Sequence, residues 1–372
     1  MTFWIVMYAI GAAQAAMLSL ALWRRTANPQ ANRVLSVWLA LIAADLTLKA
    51  AYLAAPGDGI LHAFHMTRLL PFLYVSLFFI YVRALTTGRG FALTDVLHAV
   101  GFLGASVWAV WLLWSDGAST GGRGWTPAWF DPAQFASAAA YLLAALVQVH
   151  RYRQGQLQQR ADADRGSLRW IVLMAACQLV IWGIAAAHVA LRLPYIDYWL
   201  IYAAVAAWVC VVGWCSLAQP PVVALPVDDE MAADTALPAV SDDPRTADVE
   251  ARLSQLMSHD ALYRAPALTI AQLARRSGYP EYLVSTVINR RSGGNFWDYV
   301  NRHRIEAVCA CLSDPQDART ILDIAYDTGF TSKSTFNASF KRLVGETPSA
   351  YRQRRAHPSA RDGAEATRTP PD

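Results

Sequence analysis

Ahead of position 219 the chain carries seven apolar runs, at residues 3–23, 34–54, 61–85, 93–114, 132–149, 168–191 and 194–217. Crossing a hydrocarbon core ~30 Å thick takes about 20 helical residues, and these runs are of that order. They leave little choice of fold. Backbone groups shielded from water must find partners within their own segment, and a helix provides them. Composition agrees: 55% of residues are hydrophobic and only 16% charged, too apolar for a soluble protein, and the excess ends at residue 219. The first run has no basic leader and runs on to Arg24-Arg25, so it reads as a retained anchor and not as a cleaved signal. The expected fold class is all-α, with a seven-helix transmembrane bundle over residues 1–218.

The short loops set its orientation. The first holds Arg24, Arg25 and Arg33, the third Arg83 and Arg89, and the fifth Arg151, Arg153, Arg160, Arg165 and Arg169. The alternate loops hold only Arg123 and Arg192. Basic loops stay in the cytoplasm, so the amino terminus is expected outside and everything after the seventh run inside. Trp108, Trp111, Trp114, Trp125 and Trp129 gather at the outer end of the fourth run as an interfacial aromatic belt. The glycine-rich outer loop 115–131 beside them is the candidate for external contact.

Polar residues inside the runs are few. Asp45 and Lys49 stand four apart on one helix, where each can neutralise the other. His62, His65 and Arg68 lie near the outer end of the third run beside Pro71, which marks a kink, and His188 lies at similar depth on the sixth. These six are the candidates for signal sensing, set against the plainer reading of satisfied interfacial side chains.

Residues 219–248 change character. Five prolines and seven acidic residues with little apolar mass predict a disordered linker, spanning ~30 Å as a flexible coil. The polar tail 356–372 reads the same way.

Between them the composition is ordinary. Ile321, Ile324 and Ala325 make the buried stripe of a short helix. Gly329 supplies a left-handed turn, Phe330 packs into its angle, and Thr331 or Ser332 caps a second helix. On that helix Phe336, Phe340 and Leu343 face inward, while Lys333, Ser334, Asn337 and Lys341 face elsewhere. This is a helix-turn-helix pattern, closed by Gly345 and Pro348. It occurs twice. Ile270, Leu273, Ala274, Gly278 and Tyr279 repeat it at an offset of 51, and Val284, Ile288, Gly293 and Tyr299 at 52, one inserted residue accounting for the change. The units cover about 269–291 and 320–343. Basic residues outnumber acidic ones over 251–355, as a phosphate-facing module requires.

Residues 251–355, and above all GFTSKSTFNASFKRLVGETPSAYR, closely resemble the DNA-binding domain of AraC/XylS-type transcription regulators. The resemblance implies a long helix, here residues 295–312, holding two recognition helices for successive major-groove faces. Eighteen residues rise ~27 Å, compatible with the ~34 Å groove repeat. It further implies base contacts from Tyr282, Ser285 and Thr286 in the first unit and Lys333 and Ser334 in the second. Asn289, Arg290, Asn337, Lys341 and Arg342 would meet phosphates. Ala338 stands where relatives often carry a longer polar residue. The stretch LLPFLYVSLFFIYVRALTTGRGFALTDVLHAVGFL also resembles the membrane-sensor half of some AraC-type regulators. The partners implied are double-stranded DNA, membrane lipid, RNA polymerase, a second copy of the chain, and an unknown small-molecule or envelope signal, at a bacterial inner membrane.

Enzyme readings find little support. Gly117, Ser119 and Gly121 fit GxSxG without the strand–turn–helix context that exposes a nucleophile. No phosphate-binding loop is present, Cys177, Cys210, Cys215, Cys309 and Cys311 show no metal spacing, and the seventh run has no lysine for a retinal Schiff base. No cofactor and no metal are expected. The rival reading is a transporter or lipid-processing protein with an appended regulatory domain, which transport or turnover by residues 1–217 in vesicles would reveal. A third treats the spans as a passive anchor, replaceable by unrelated ones.

Overall fold

The computed structural model describes residues 2–115, 127–163, 168–191, 198–218, 222 and 245–356, which are helical with no strand among them. They fall into two compact units. One comprises Met1–Tyr152 and Leu168–Val227, the other Arg153–Ser167 and Asp228–Asp372.

The first unit contains α1 (Thr2–Trp23), α2 (Pro29–Ala54), α3 (Asp58–Met66), α4 (Pro71–Thr87), α5 (Val100–Ser115), α6 (Phe130–Gln159, up to Tyr152), α7 (Arg169–Leu191) and α8 (Tyr198–Ala218). Among the described residues five helices are long and apolar enough to cross a membrane: α1, α2, Leu93–Trp111, α6 and α7. A sixth is possible if Ala63–Leu69 and Pro71–Thr87, bent by 43°, form one span. Leu200–Ser216, within α8, is apolar but shorter. Pro71 begins α4 at that bend, where its missing N–H costs no helical hydrogen bond. α6 runs ten residues beyond the apolar run expected there, carrying Arg151 and Arg153 on its last turns.

Tyr8, Trp38, Phe78, Tyr81 and Trp208 are fully or almost fully buried in this unit's core. α1 and α2 are clasped at Ser19 and Ser36. Each hydroxyl reaches the other residue's carbonyl, at 2.9 and 2.6 Å, the polar glue that helices use where apolar contact alone does not choose a partner. Arg83, in the last turns of α4, forks onto Asp95 at 2.5 and 2.6 Å, an ion pair made within its own unit.

The second unit contains α9 (Thr246–Ser258), α10 (Ile270–Ser277), α11 (Glu281–Ser292), α12 (Phe296–Ser313), α13 (Ile321–Asp327), α14 (Lys333–Val344) and α15 (Pro348–Ala356). α9 begins three residues ahead of the boundary expected at 249. The rest of the expected linker, apart from Val222 and Arg245, and the tail from 357 lie outside the described residues. α12 serves two cores. Phe296, Tyr299 and Val300 pack with α9, α10 and α11, while Ile305, Val308 and Leu312 pack with α13, α14 and Tyr351 of α15.

Between these cores α12 carries polar residues. Arg304, fully buried, donates to the carbonyls of Tyr263 and Ala265 at 2.8 and 2.9 Å and lies over the Phe330 ring. Burial pulls its pKa down to about 10, so it remains a cation at neutral pH. On the surface Arg319 holds the Asp317 carboxyl at about 2.

Two expectations need correction. Leu343 is 36% exposed and is not part of the inner stripe of α14. It stands in the helix's last turn, where Val344 packs on the core instead, and Thr335 and Ser339 complete the stripe around Phe336 and Phe340. All five cysteines are free, but they are not the buried thiols that their apolar surroundings in the sequence lead one to expect: Cys215 is buried, Cys177, Cys309 and Cys311 are half-buried and Cys210 is exposed.

Candidate nucleic-acid interface

The two halves of the second unit repeat each other's local devices. Thr269 caps α10 by accepting from the Gln272 N–H at 3.2 Å, and the Gln272 side chain accepts from the Thr269 N–H at 3.0 Å. Thr320 and Asp323 make the same reciprocal box at the start of α13. Such boxes satisfy donors that a helix start leaves orphaned. Gly278 and Gly329 then turn left-handed at φ 81° and 96°, and Gly293 and Gly345 end the second helices at φ 59° and 87°. Of the two hydroxyl residues ahead of α14 it is Ser332 that caps, accepting from the Thr335 N–H at 3.2 Å.

With the turns fixed, the outward faces follow. On α11 Tyr282 is exposed and Ser285 and Thr286 half-buried, three, four and one residues apart on one face. The Thr286 hydroxyl donates back to the Tyr282 carbonyl at 2.8 Å, which leaves its oxygen able to accept. On α14 Lys333, Ser334, Asn337, Ala338 and Lys341 are all exposed, with Ser334 near the capping hydroxyl of Ser332 at 3.2 Å. Asn289 and Arg290 are exposed at the far end of α11. Arg342 differs from the other phosphate candidates. It pairs with Asp298 of α12 at 2.5 Å and lies 5.0 Å over the Trp297 ring, so it braces α14 against α12.

The unit also contains a segment that sequence reasoning did not assign to it. Residues 160–163, which follow α6, enter the core beside α10 and α12. Arg160 bridges Thr269 in antiparallel fashion, and the N–H of Ala161, itself fully buried, donates to the Leu268 carbonyl at 2.9 Å. The buried Asn301 donates to the Ala161 carbonyl at 2.9 Å and the Trp297 indole to the Ala163 carbonyl at 2.8 Å. Arg160 and Asp162 close the turn with paired contacts at 2.9 Å. The one available signal was indirect: a tryptophan and an asparagine one turn apart on a helix whose other inward residues, Arg304 apart, are apolar or aromatic.

Of the six residues singled out for sensing, Asp45 and Lys49 form the expected ion pair, with the Tyr74 hydroxyl donating to Asp45 at 3.0 Å. Arg68 pairs with Asp131 at 2.8 Å. These three and His188 line one cavity of the first unit. His65 lies beside Phe64 and does not line it, and the His62 side chain falls outside the described residues. Of the tryptophan belt, Trp108 neighbours Trp111 and Trp129, with ring centroids 5.3 and 6.3 Å away. The side chains of Trp114 and Trp125, most of loop 115–131 and the GxSxG stretch lie outside the described residues.

Paired capped helix-turn-helix units with exposed hydroxyl, amide and amine faces define a DNA-binding protein. Residues 273–354 match a family model described as a helix-turn-helix domain. Regulatory protein SoxS of Escherichia coli (strain K12) is 32% identical over 87 residues, 23% of this chain and 79% of that protein. Probable transcription factor PqrA of Proteus vulgaris is 29% identical over 92 residues, 25% of this chain and 74% of the relative. Uncharacterized HTH-type transcriptional regulator YtdP of Bacillus subtilis (strain 168) is 32% identical over 88 residues, 24% of this chain and 11% of the relative. No solved structure matches. The chain belongs to the AraC family of DNA-binding transcription regulators.

Proposed function

We propose that this regulator is anchored in the bacterial inner membrane, where its apolar half couples an extracytoplasmic or membrane-borne signal to gene expression. The observation that carries the coupling is the segment 160–163. In sequence it joins α6 and α7, both apolar and long enough to cross a membrane, yet it is built into the DNA-binding unit through Ala161, Trp297 and Asn301. Trp297 also lies beneath Arg342 of the second recognition helix. A shift of α6 against α7 would therefore reach α12 and α14 through buried hydrogen bonds and not through a loose tether alone.

The membrane reading rests on apolar faces the protein leaves bare. Met17, Leu20 and Trp214 are 71%, 72% and 79% exposed on their helices, a pattern that lipid covers and water does not. We read seven crossings, with the bent pair as the third and α8 as the seventh. That odd number leaves the amino terminus outside and the DNA-binding unit in the cytoplasm, in agreement with the ten-to-two loop arginine bias.

In this reading Tyr282, Ser285, Thr286, Lys333 and Ser334 meet base edges, and Asn289, Arg290, Asn337 and Lys341 meet phosphates. Arg342 joins the latter only by exchanging Asp298 for a phosphate oxygen. Two tethered copies on neighbouring half-sites would raise each other's effective concentration, which makes a signal acting on dimer formation the rival to the route through segment 160–163. Lys333→Ala is expected to lower discrimination between operator and unrelated DNA by ~1–3 kcal/mol, measured by competition binding. Equal weakening on all DNA, with a shallower salt dependence, would make Lys333 a phosphate ligand instead.

Protease treatment of intact spheroplasts tests the topology. The chain should sediment with membranes and its carboxyl-terminal unit should stay uncut until the cells are lysed. A soluble chain, or cleavage of that unit from outside, contradicts the reading.

A further inference from the structure

We propose that the first unit binds a small, uncharged, apolar aromatic molecule of a single ring, an alkylbenzene in kind, in the cavity among α2, α4, α6, α7 and α8. The cavity measures about 160 Å³, and a void of ~150 Å³ already holds one benzene ring. Trp38 and Trp208, only 2% and 4% exposed, close its inner end, with ring centroids 4.8 Å apart. The more open wall is made by half-buried rings, those of Tyr74, Phe135, Trp182 and Tyr202. Trp182 meets Phe135 edge to face at 5.7 Å. A ring packed against such rings gains beyond the apolar area it buries.

Two further observations mark this void as a site and choose its occupant. The 43° bend between Ala63–Leu69 and Pro71–Thr87 borders it, with Thr67 and Arg68 on one side of the break and Pro71 and Tyr74 on the other. An interrupted helix within an apolar span is tolerated where it borders a cavity, and interruptions of this kind line ligand sites in membrane proteins. The polar groups around the cavity are also engaged already. Lys49 pairs with Asp45, which accepts from the Tyr74 hydroxyl as well, and Arg68 pairs with Asp131. Thr67 donates to the Phe64 carbonyl at 2.8 Å and Gln134 to the Arg68 carbonyl at 2.7 Å. A charged ligand would have to displace one of these partners, and its own desolvation would go unmatched. An apolar ring needs none of them. The site stands on this geometry alone; its role as the signal rests on the regulatory reading above.

The test uses the full-length chain in phospholipid nanodiscs with 4-fluorotoluene as probe, followed by fluorine NMR. Empty nanodiscs set the baseline for probe dissolved in lipid. Comparators are fluorocyclohexane, which is apolar but not aromatic, and 4-fluorobenzoate, which is charged. Fluorotoluene is expected to bind saturably, ~3–10-fold more tightly than fluorocyclohexane, the range that ring-on-ring packing supplies. The benzoate should bind more weakly than both. Trp182→Leu should narrow the preference for the aromatic ring, and Ala185→Phe, which fills the cavity, should abolish saturable binding while circular dichroism stays unchanged. Should either variant misfold, the order of the three probes on the unaltered chain still decides. Equal binding of fluorotoluene and fluorocyclohexane, tightest binding of the benzoate, or no saturable binding because lipid chains or water fill the cavity would each overturn the proposal. Fluorotoluene binding with no change in DNA occupancy would keep the site and remove its role as the signal.

Discussion

Gly329→Ala is expected to destabilise the DNA-binding unit by roughly 4 kcal/mol or more and to abolish operator binding, a loss that only a few mechanisms produce. Two of them act at this position. Gly329 has φ 96°, where an L side chain is strained. A Cβ there would also stand 2.7 Å from the carbonyl oxygens of both Tyr263 and Arg264. Those atoms are backbone and cannot rotate away, and the Tyr263 carbonyl already accepts from the buried Arg304. Gly345→Ala is the control. Its φ of 87° carries a similar strain, but nothing lies within 4 Å of the added carbon, so it should cost only about 1 kcal/mol. Hydrogen exchange of the α13 and α14 amides in the full-length chain measures both. Equal effects would mean that the turn does not press on the Tyr263–Arg264 backbone.

Ala161→Asp is the second large effect, and it separates coupling from DNA reading. Ala161 is fully buried among apolar residues of the first helix-turn-helix core. The buried Arg304, whose neighbour Asn301 holds the Ala161 carbonyl, is already committed to the carbonyls of Tyr263 and Ala265, and burying a charge that finds no partner costs several kcal/mol. Segment 160–163 should leave its seat, exposing the Ala161 amide, now bonded to the Leu268 carbonyl, to rapid exchange. The caps of α10, α13 and α14 and the glycine turns around α11 and α14 stay in place, so operator binding should persist while the response of a reporter gene to signal is lost. An unchanged response with the segment released would show that the signal travels by another route, the 219–248 stretch or dimer formation.

What could be read from the residues divides along a physical line. The helix-turn-helix units were legible because their signals are local: Thr269 and Thr320 box their own helix starts, and Gly278 and Gly329 fix their own turns. The role of α12 was legible only through the family resemblance, which implied one long helix joining the two units; its first half packs on one core and its second half on the other. The seat of Ala161 was not, because it pairs residues 134 to 140 positions apart through backbone carbonyls, which any sequence supplies. The cavity was half legible. Asp45, Lys49, Arg68 and His188 stand out as charges in apolar helices, whereas Tyr74, Gln178 and Tyr202 have no stripe to mark them, since helices apolar all round show no face. Arg342 was assigned by its position on α14, and its pairing with Asp298 depends on a crossing that periodicity does not report.

The account's central claim is that this chain reads specific DNA while tied to the membrane. Chromatin immunoprecipitation of the full-length protein, beside a Lys333→Ala, Ser334→Ala double variant expressed at the same level, tests it most directly. Discrete enriched sites that disappear in the variant are the predicted result, and the genes beside them would point to the signal. No enriched sites under several growth conditions, or sites indifferent to both substitutions, would contradict it and make the membrane half the working part of the molecule.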